Sequence, residues 1–494
     1  MPPKRADRGG MQERVPWPGY QTPGAHAAFM RPHVFWDDVN NSGWIRECHF
    51  LPSGRRILIV VENLPVPLDR RVWLEATTLV AHGYEVSVIC PMGHGWTAAH
   101  EVIDGVHIWR HPMPTEAHSG AAAYAIEYGS ALWHWMRLAR VIWHARGFDV
   151  IQGCNPPDLV FLLALLYRPW GVRYMFDHHD VCPELFEAKF GRRGALCWIL
   201  RRMERLSFAT ASVSIATNES FRRIAIARGR MDPDDVFVVR SAPKPEQFRP
   251  GPGDLAHRKG AGIVLGYVGV IGQQEGMDLL VDAVEHLVRG LGHADLHVVI
   301  IGFGTHLPEV EADVARRGLQ AHFTFTGPLY GADLLAALNV IDIGLATDPH
   351  NAMNNISTMN KVIEYMALGK PLVQFDLAEG RASAGEAALY ARTNDPRDFA
   401  AKVARLIGDP ALRRRLGRIG RLRVQERLSW AHSVPQLLAA YERIFERLRR
   451  PQASLPRPFR SVPVYPLPEP MVLRTSERSA AVEQSKAGAE APVP

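Results

Sequence analysis

The sequence predicts an α/β protein of two Rossmann-like domains facing across a cleft. Short β-branched runs alternate with longer amphipathic segments from about residue 55 to 449, and this alternation builds parallel sheets with helices on both faces. The series breaks once, at KPEQFRPGPGDLAHRKGAG, where Pro and Gly crowd together. A chain of 494 residues also suits two or three domains at ~150 residues each.

In chain order, RRILIVVEN is a continuous apolar run and reads as a strand covered on both faces. Asp69 caps the helix RRVWLEATTLVAHG, where Trp73, Ala76 and Val80 fall near helical spacing and Gly83 ends it. YEVSVICP, GVHIWRHP, FDVIQG, VRYMFDHH, ASVSIAT and VFVVRSAP read as strands, with SALWHWMRLARVIWHARG, PDLVFLLALLY, GALCWILRRMERLSFAT and NESFRRIAIARG as helices between them. The second series opens with the strand and turn GIVLGYVGVIG. LHVVIIGFG, HFTFTGP, IDIGLAT and ALYART follow as strands among further helices. The expected division is an extension over 1–52, a first domain over 53–245 and a linker over 246–260. A second domain over 261–431, a terminal helix over 432–450 and a Pro-rich tail over 451–494 complete it. Both ends lack the apolar density that offsets the entropy of ordering, so disorder is expected there.

Composition narrows the function classes. A formal charge of +6 without a dense basic run argues against nucleic acid as a partner, and fits phosphate-bearing substrates or an anionic membrane surface. The five cysteines show no CxxC spacing, which suits free thiols in a reducing cytoplasm. The longest apolar run, LVFLLALLY at 159–167, is far below the ~20 residues of a membrane span, and the N-terminus is polar and Pro-rich. The expectation is a cytoplasmic protein, peripheral at most at the inner face of the membrane. SALWHWMRLARVIWHARG interleaves Trp133, Trp135 and Trp143 with Arg137, Arg140 and Arg146. It reads either as a membrane-interface helix or as a core helix with a solvated basic edge.

Ligands of open α/β sheets bind beyond the carboxyl ends of the strands, so the loops there carry the candidate residues. In NNISTMNKVIEYMALGKPLV, Ser357 or Thr358 caps a helix that Gly369 and Pro371 stop. Free N–H groups at its start, with Asn360 and Lys361, suit a phosphate, and Glu364 suits a ribose diol. The plain alternative is a capped helix with a solvated Lys and Glu. Gly269, Gly272 and Gly276 in VGVIGQQEG would let backbone approach a ligand, as would Gly302 and Gly304. In the first half, His178, His179 and Asp180 follow the strand RYMF, and Asn63 and Asn155 sit at neighbouring strand ends where a sugar or acceptor would lie, though Asn155 could equally be turn chemistry. Adjacent histidines on a strand point to opposite sides, which counts against a shared metal. Arg70 and Arg71 at a helix start bind an acidic group or stay solvated. The GxGxxG fingerprint is absent after the first strand, which disfavours NAD. Asp232-Pro-Asp234 reads as a turn rather than a metal motif. MPTEAHSGAAAYAIEYG is a candidate wall of an acceptor pocket.

These residues carry a resemblance. RRILIVVENLPVPLDRRVWLEATTLVAHGYEVSVICP, FDHHDVCPELFEAKFG, VVRSAPKPEQFRP and STMNKVIEYMALGKPLV, in this order, resemble the family 4 glycosyltransferases of the GT-B fold. The nearest subgroup is that of bacterial enzymes building surface polysaccharides, including transferases of N-acetylated amino sugars. The resemblance implies a retaining, metal-independent enzyme with no cofactor, a nucleotide sugar held mostly by the second domain, and a last helix crossing back to the first. It implies Glu364 on the ribose and His179, or its neighbour His178, on the donor sugar. Two departures stand out. Ile356 replaces an acid eight residues before Glu364, leaving Asn354, Asn355 or Ser357 to supply that contact. Val270 and Glu275 stand where the family carries an Arg and a Lys, leaving Lys361, with Arg381 behind it, for the diphosphate.

The expected activity is hexosyl or N-acetylhexosaminyl transfer from a UDP-linked sugar to a glycan or lipid-linked acceptor in polysaccharide biosynthesis. His179, Lys361 and Glu364 would be the catalytic residues. A GT-B-fold UDP-sugar epimerase and a non-catalytic scaffold of a polysaccharide assembly are the alternatives.

Overall fold

The run RILIV of β1 (Arg56–Val60) is buried along almost its whole length, as a central parallel strand must be. The computed structural model describes residues 55–113, 121–191 and 194–449. The expected terminal extension and tail, Cys48, and part of the candidate acceptor wall lie outside the described residues.

The first half continues with α1 (Arg70–Ala81), β2 (Glu85–Pro91), β3 (His100–Ile103), β4 (Val106–His111), α2 (Ala121–Ala145), β5 (Val150–Cys154) and α3 (Val160–Tyr167). It ends with β6 (Arg173–His178), α4 (Cys182–Phe190), α5 (Ala195–Thr210), β7 (Val213–Ala216), α6 (Glu219–Ala227) and β8 (Val236–Val238). The sheet order is β3-β4-β2-β1-β5-β6-β7-β8, parallel except for the edge strand β3.

The second half comprises β9 (Ile263–Val268), α7 (Met277–Glu285), β10 (Leu296–Ile301), α8 (Leu307–Arg316), β11 (Phe323–Gly327), α9 (Gly331–Val340) and β12 (Ile343–Ala346). α10 (Asn360–Ala367), β13 (Leu372–Phe375), α11 (Ala378–Ala384), β14 (Ala388–Ala391), α12 (Pro396–Gly408) and α13 (Pro410–Arg423) follow. Its order is β11-β10-β9-β12-β13-β14, all parallel. The chain reverses direction across each sheet at β1 and at β9, and a ligand crevice opens at such switch points.

Asp69 caps α1 by accepting from the Val72 N–H at 3.1 Å. The inward stripe is Val72, Ala76 and Leu79, one position off the Trp73–Ala76–Val80 stripe expected from spacing. Arg71 and Glu75 also face inward, because buried polar partners await them. The last helix, α14 (Trp430–Arg449), lies on the first half. Leu437, Tyr441 and Ile444 join the core of β1, β2 and α1. Trp430 donates to Thr78 Oγ1 at 2.9 Å, and Arg443 pairs with Asp235 at 2.9 Å. Cys90, Cys154, Cys182 and Cys197 are buried free thiols. Among the described residues no helix is long and apolar enough to cross a membrane.

Candidate active site

α10 is fixed in place by the protein itself. Its residues Lys361 to Ala367 are all buried. The Tyr365 hydroxyl donates to Gly266 O at 3.0 Å and accepts from Val268 N at 3.1 Å, which pins the helix to the end of β9. Gly344 on β12 permits this, since a Cβ there would come within 2.4 Å of the Tyr365 ring. The loops after β9 and β10 meet backbone to backbone: a Cβ on Gly302 would lie 1.9 Å from Gly269 O. Gly269 itself has φ 150°, and a Cβ on it would come within 3.4 Å of Lys361 Cε. Gly272 has an ordinary φ of −105°, and a Cβ there would meet only the Gln274 side chain, at 2.7 Å.

Glu364 faces the other half of the molecule. Its Oε1 accepts from Arg70 Nη2 at 2.5 Å, and Arg70 is the first residue of α1. Glu364 is 5% exposed and Arg70 is 54% exposed. Of the two outcomes weighed for Arg70, an acidic partner is the observed one, supplied by the protein itself.

Lys361 is not a free cation. Its Nζ lies 2.6 Å from Asp348 Oδ1 at the end of β12, 3.5 Å from Glu275 Oε2, and 4.8 Å from the Tyr267 ring centre. Burial works against its charge, yet Asp348, Tyr267 and Glu275 hold its pKa well above the ordinary value. Burial pushes Glu275 up to about 7, with Lys361 opposing. The site therefore inverts a charge pattern: an acid stands in the loop after β9, and the lysine sits on the helix opposite it. Asp348 escaped the sequence reading, although its place directly after the strand IDIGLAT was a signal.

The loop before α10 does different work from that expected. The N-cap is Met359, which makes no side-chain cap bond. Ser357 Oγ turns back to Met353 O at 2.8 Å. Thr358 Oγ1 instead accepts from Asn218 Nδ2 of the first half at 3.0 Å, and Asn218 also donates to Ile356 O at 2.9 Å. Neither residue caps the helix, because the chain must first tie the two halves together. Asn360 is exposed at the helix start. Asn355 Oδ1 accepts from Ala378 N at 2.9 Å, and buried Asn354 donates to Pro349 O at 2.9 Å, so both brace loops. Ile356 packs against the first-half group of Val181, Ala216 and Phe221. The position that lacks the family acid is an apolar contact between halves. Arg381 pairs with Asp376 and stacks on Tyr390, away from Lys361.

Across the cleft, His179 Nε2 bonds Asp177 Oδ2 at 2.6 Å. Burial disfavours its charge, but Asp177 outweighs burial and the pKa is raised. Asp177 also takes Arg71 Nη2 at 2.7 Å and Gln152 Nε2 at 2.9 Å. Despite burial, Arg71 and then His179 hold it well below the usual carboxylate range. Glu75 shares Arg71 at 3.2 Å and receives Gln152 at 2.7 Å. Burial and Asp177 push it up to about 8. One guanidinium flanked by two acids serves the better-bonded Asp177, and Glu75 is the harder of the two to ionise.

Two first-half candidates, His178 and Asn155, are corrected. His178 is fully buried among Phe176, Phe208 and Phe221, so it is a core residue facing away from the cleft. Asn155 is spent on the backbone: its Oδ1 accepts from His179 N at 2.6 Å, and its Nδ2 donates to Asp180 O at 2.6 Å. It shapes the β6 loop instead of meeting a sugar. Asp180 is half-buried, and burial raises its pKa. Asn63 is exposed beyond β1. Cys154, Asp177 and His179 are the one metal-sized grouping among the described residues. Arg71 already sits on its carboxylate, so a cation there would meet a fixed positive charge.

An apolar ledge was also missed. Val270, Phe303 and Tyr330, beyond β9, β10 and β11, are 53%, 41% and 47% exposed. The Phe303 ring lies 5.5 Å from His94 of the first half.

Comparison with known proteins adds to this geometry. Residues 68–242 match the family described as a glycosyl transferase 4-like domain, and residues 262–409 match glycosyl transferases group 1. The two matched stretches fall one on each half of the fold. It is 26% identical over 264 residues to the 2-deoxystreptamine glucosyltransferase of Streptomyces kanamyceticus, covering 51% of this chain and 64% of that protein. It is 29% identical over 255 residues to the D-inositol 3-phosphate glycosyltransferase of Stackebrandtia nassauensis, covering 48% and 56%. The chain thus spans less than two thirds of these two relatives. It is 24% identical to the alpha-maltose-1-phosphate synthase of Mycolicibacterium smegmatis, covering 69% of this chain and 88% of that one. The sucrose-phosphate synthase of Thermosynechococcus elongatus superposes with TM-score 0.64 at 16% identity, over 80% of this chain and 100% of that one. HepE of Anabaena, solved with UDP and glucose, superposes with TM-score 0.61 at 14% identity, over 79% and 100%. The glycosyltransferase fold is thereby the GT-B fold of two Rossmann-like domains expected from the sequence.

Proposed function

We propose that this glycosyltransferase-type chain is a retaining enzyme that moves a hexosyl or N-acetylhexosaminyl group from a UDP-linked sugar to a glycan or lipid-linked acceptor in polysaccharide biosynthesis. One observation carries the reading. A buried carboxylate, Glu364, faces the cleft from the donor helix, and its cross-cleft partner is an exposed arginine that a ligand can displace. UDP in the HepE structure and the sugar transfers named for the relatives support the choice of donor class.

In this reading Glu364 accepts hydrogen bonds from the ribose hydroxyls. The N-terminus of α10 and Lys361 meet the charge that develops on the departing diphosphate. His179, whose charged form Asp177 favours, has no hydrogen-bond partner on Nδ1 among the described residues, and in that form the nitrogen donates to a sugar oxygen. The ledge of Val270, Phe303 and Tyr330 receives the base. Positive charge comes from these groups, and the reading uses no metal or cofactor. No side chain is assigned as a nucleophile.

Calorimetry with UDP and GDP tests it. Glu364→Ala should weaken UDP binding by about 10- to 100-fold, the value of a hydrogen bond to a charged group. Undiminished binding would reject the site. Sugar turnover that needs no acceptor would favour an epimerase instead.

A further inference from the structure

Nine of the sixteen large exposed apolar side chains among the described residues lie on three helices of the first half. α2, α3 and α5 share one face of the sheet, with their inner sides in a common core. On the outer side of α2, Ile126, Trp133 and Val141 are exposed, Trp133 by 64%. α3 exposes Leu162, Leu165 and Leu166. α5 exposes Trp198, Ile199 and Leu206, Trp198 by 61%. A helix layer facing water carries polar residues outward, and large apolar side chains exposed together on one layer mark a docking face.

Charge identifies what docks. Arg137, Arg140, Arg168, Arg201, Arg202 and Arg205 are exposed on the same helices or directly after them. These helices expose no carboxylate: Glu127 is half-buried, and Glu204 is buried against Arg228. Beside α5, Arg202, Arg205, Arg228 and Arg230 line a cavity of about 480 Å³. Glu184 and Glu204 neutralise Arg228 alone. Tryptophans with arginines and no acids match the headgroup layer of an anionic bilayer, where indole rings settle and long cations reach phosphate. The chain's own segments 1–54 and 451–494 are not acidic, so they do not complement this face.

We infer that the outer face of α2, α3 and α5 docks on an anionic lipid surface, with the arginine cavity seating a headgroup phosphate. This inference does not depend on the sugar or nucleotide assigned above.

Sedimentation of the full chain with phosphatidylcholine vesicles, with and without phosphatidylglycerol, tests it. The chain should pellet with the anionic vesicles, and Arg202→Gln with Arg205→Gln should weaken this by about fivefold for each arginine. Trp133→Ser with Trp198→Ser should also weaken it. Circular dichroism verifies that each variant is folded, and quenching of wild-type Trp fluorescence by brominated lipid supplies a readout without mutation. Equal partitioning to both vesicle types, or folded variants that bind like the wild type, would overturn the inference. So would a lipid-free dimer that the Trp substitutions dissolve, or phosphate-induced stabilisation without vesicle binding.

Discussion

Arg70 Nη2 lies 2.5 Å from Glu364 Oε1, joining the first turn of α1 in one half to α10 in the other. The pair closes the cleft over the carboxylate proposed to hold the nucleotide. With Arg70 54% exposed, solvent screens the pair, and exposed ion pairs contribute at most about 1 kcal/mol.

Releasing this pair should therefore cost a nucleotide little. Arg70→Ala should tighten UDP binding by up to about fivefold, measured by calorimetry, because the ribose no longer competes with the guanidinium. Weaker binding would mean that Arg70 swings onto the diphosphate instead.

Lys361 neutralises two acids, Asp348 and Glu275. Lys361→Ala leaves both facing each other in a buried place and should cost about 3–5 kcal/mol of stability, read from the urea midpoint. Loss of UDP binding in this variant would then report unfolding as much as lost contact. Asp348→Asn is the cleaner probe, since it frees the ammonium and should tighten UDP binding without unfolding the chain.

Glu75 and His179 set a pH dependence. Both pKa values are raised in the folded state, Glu75 to about 8. A raised pKa means stability that is full below the unfolded value and lost as pH rises through the folded one. For Glu75 that window runs from about 4.3 to about 8, and for His179 it begins near 6.5. The melting temperature should fall as pH rises from about 5 to about 8, and Glu75→Gln should flatten that fall. A wild-type curve that is level across this range would show Glu75 ionised instead.

Ile356 packs on Val181 and Phe221 of the first half. Ile356→Glu restores the acid common in the family, but it puts a carboxylate against an apolar surface. It should lower stability by about 1–3 kcal/mol in denaturant titration and loosen the two halves, seen as a larger radius of gyration in solution scattering. A variant as stable and compact as the wild type would show that the acid can turn into the cleft.

Much of the frame was legible without coordinates. Continuous apolar runs such as RILIV and LHVVII are decided by local physics, because only a strand covered on both faces tolerates them. The cap at Asp69 follows from side-chain chemistry a few residues away. Glu364 on a helix after the strand IDIGLAT was likewise readable from order and resemblance. What spacing could not give was each polar group's partner. Thr358 has the composition of a cap, but tertiary structure spends it on Asn218, 140 residues away. His178 and His179 share a strand end, and only the sheet's two faces decide that one enters an aromatic core while the other meets Asp177. Lys361 looked like a free cation because Asp348 and Glu275 reach it from two other strand ends. Backbone form is set by neighbours in sequence. The charge and availability of a site are set by neighbours in space, through burial and pairing that only the folded chain brings about.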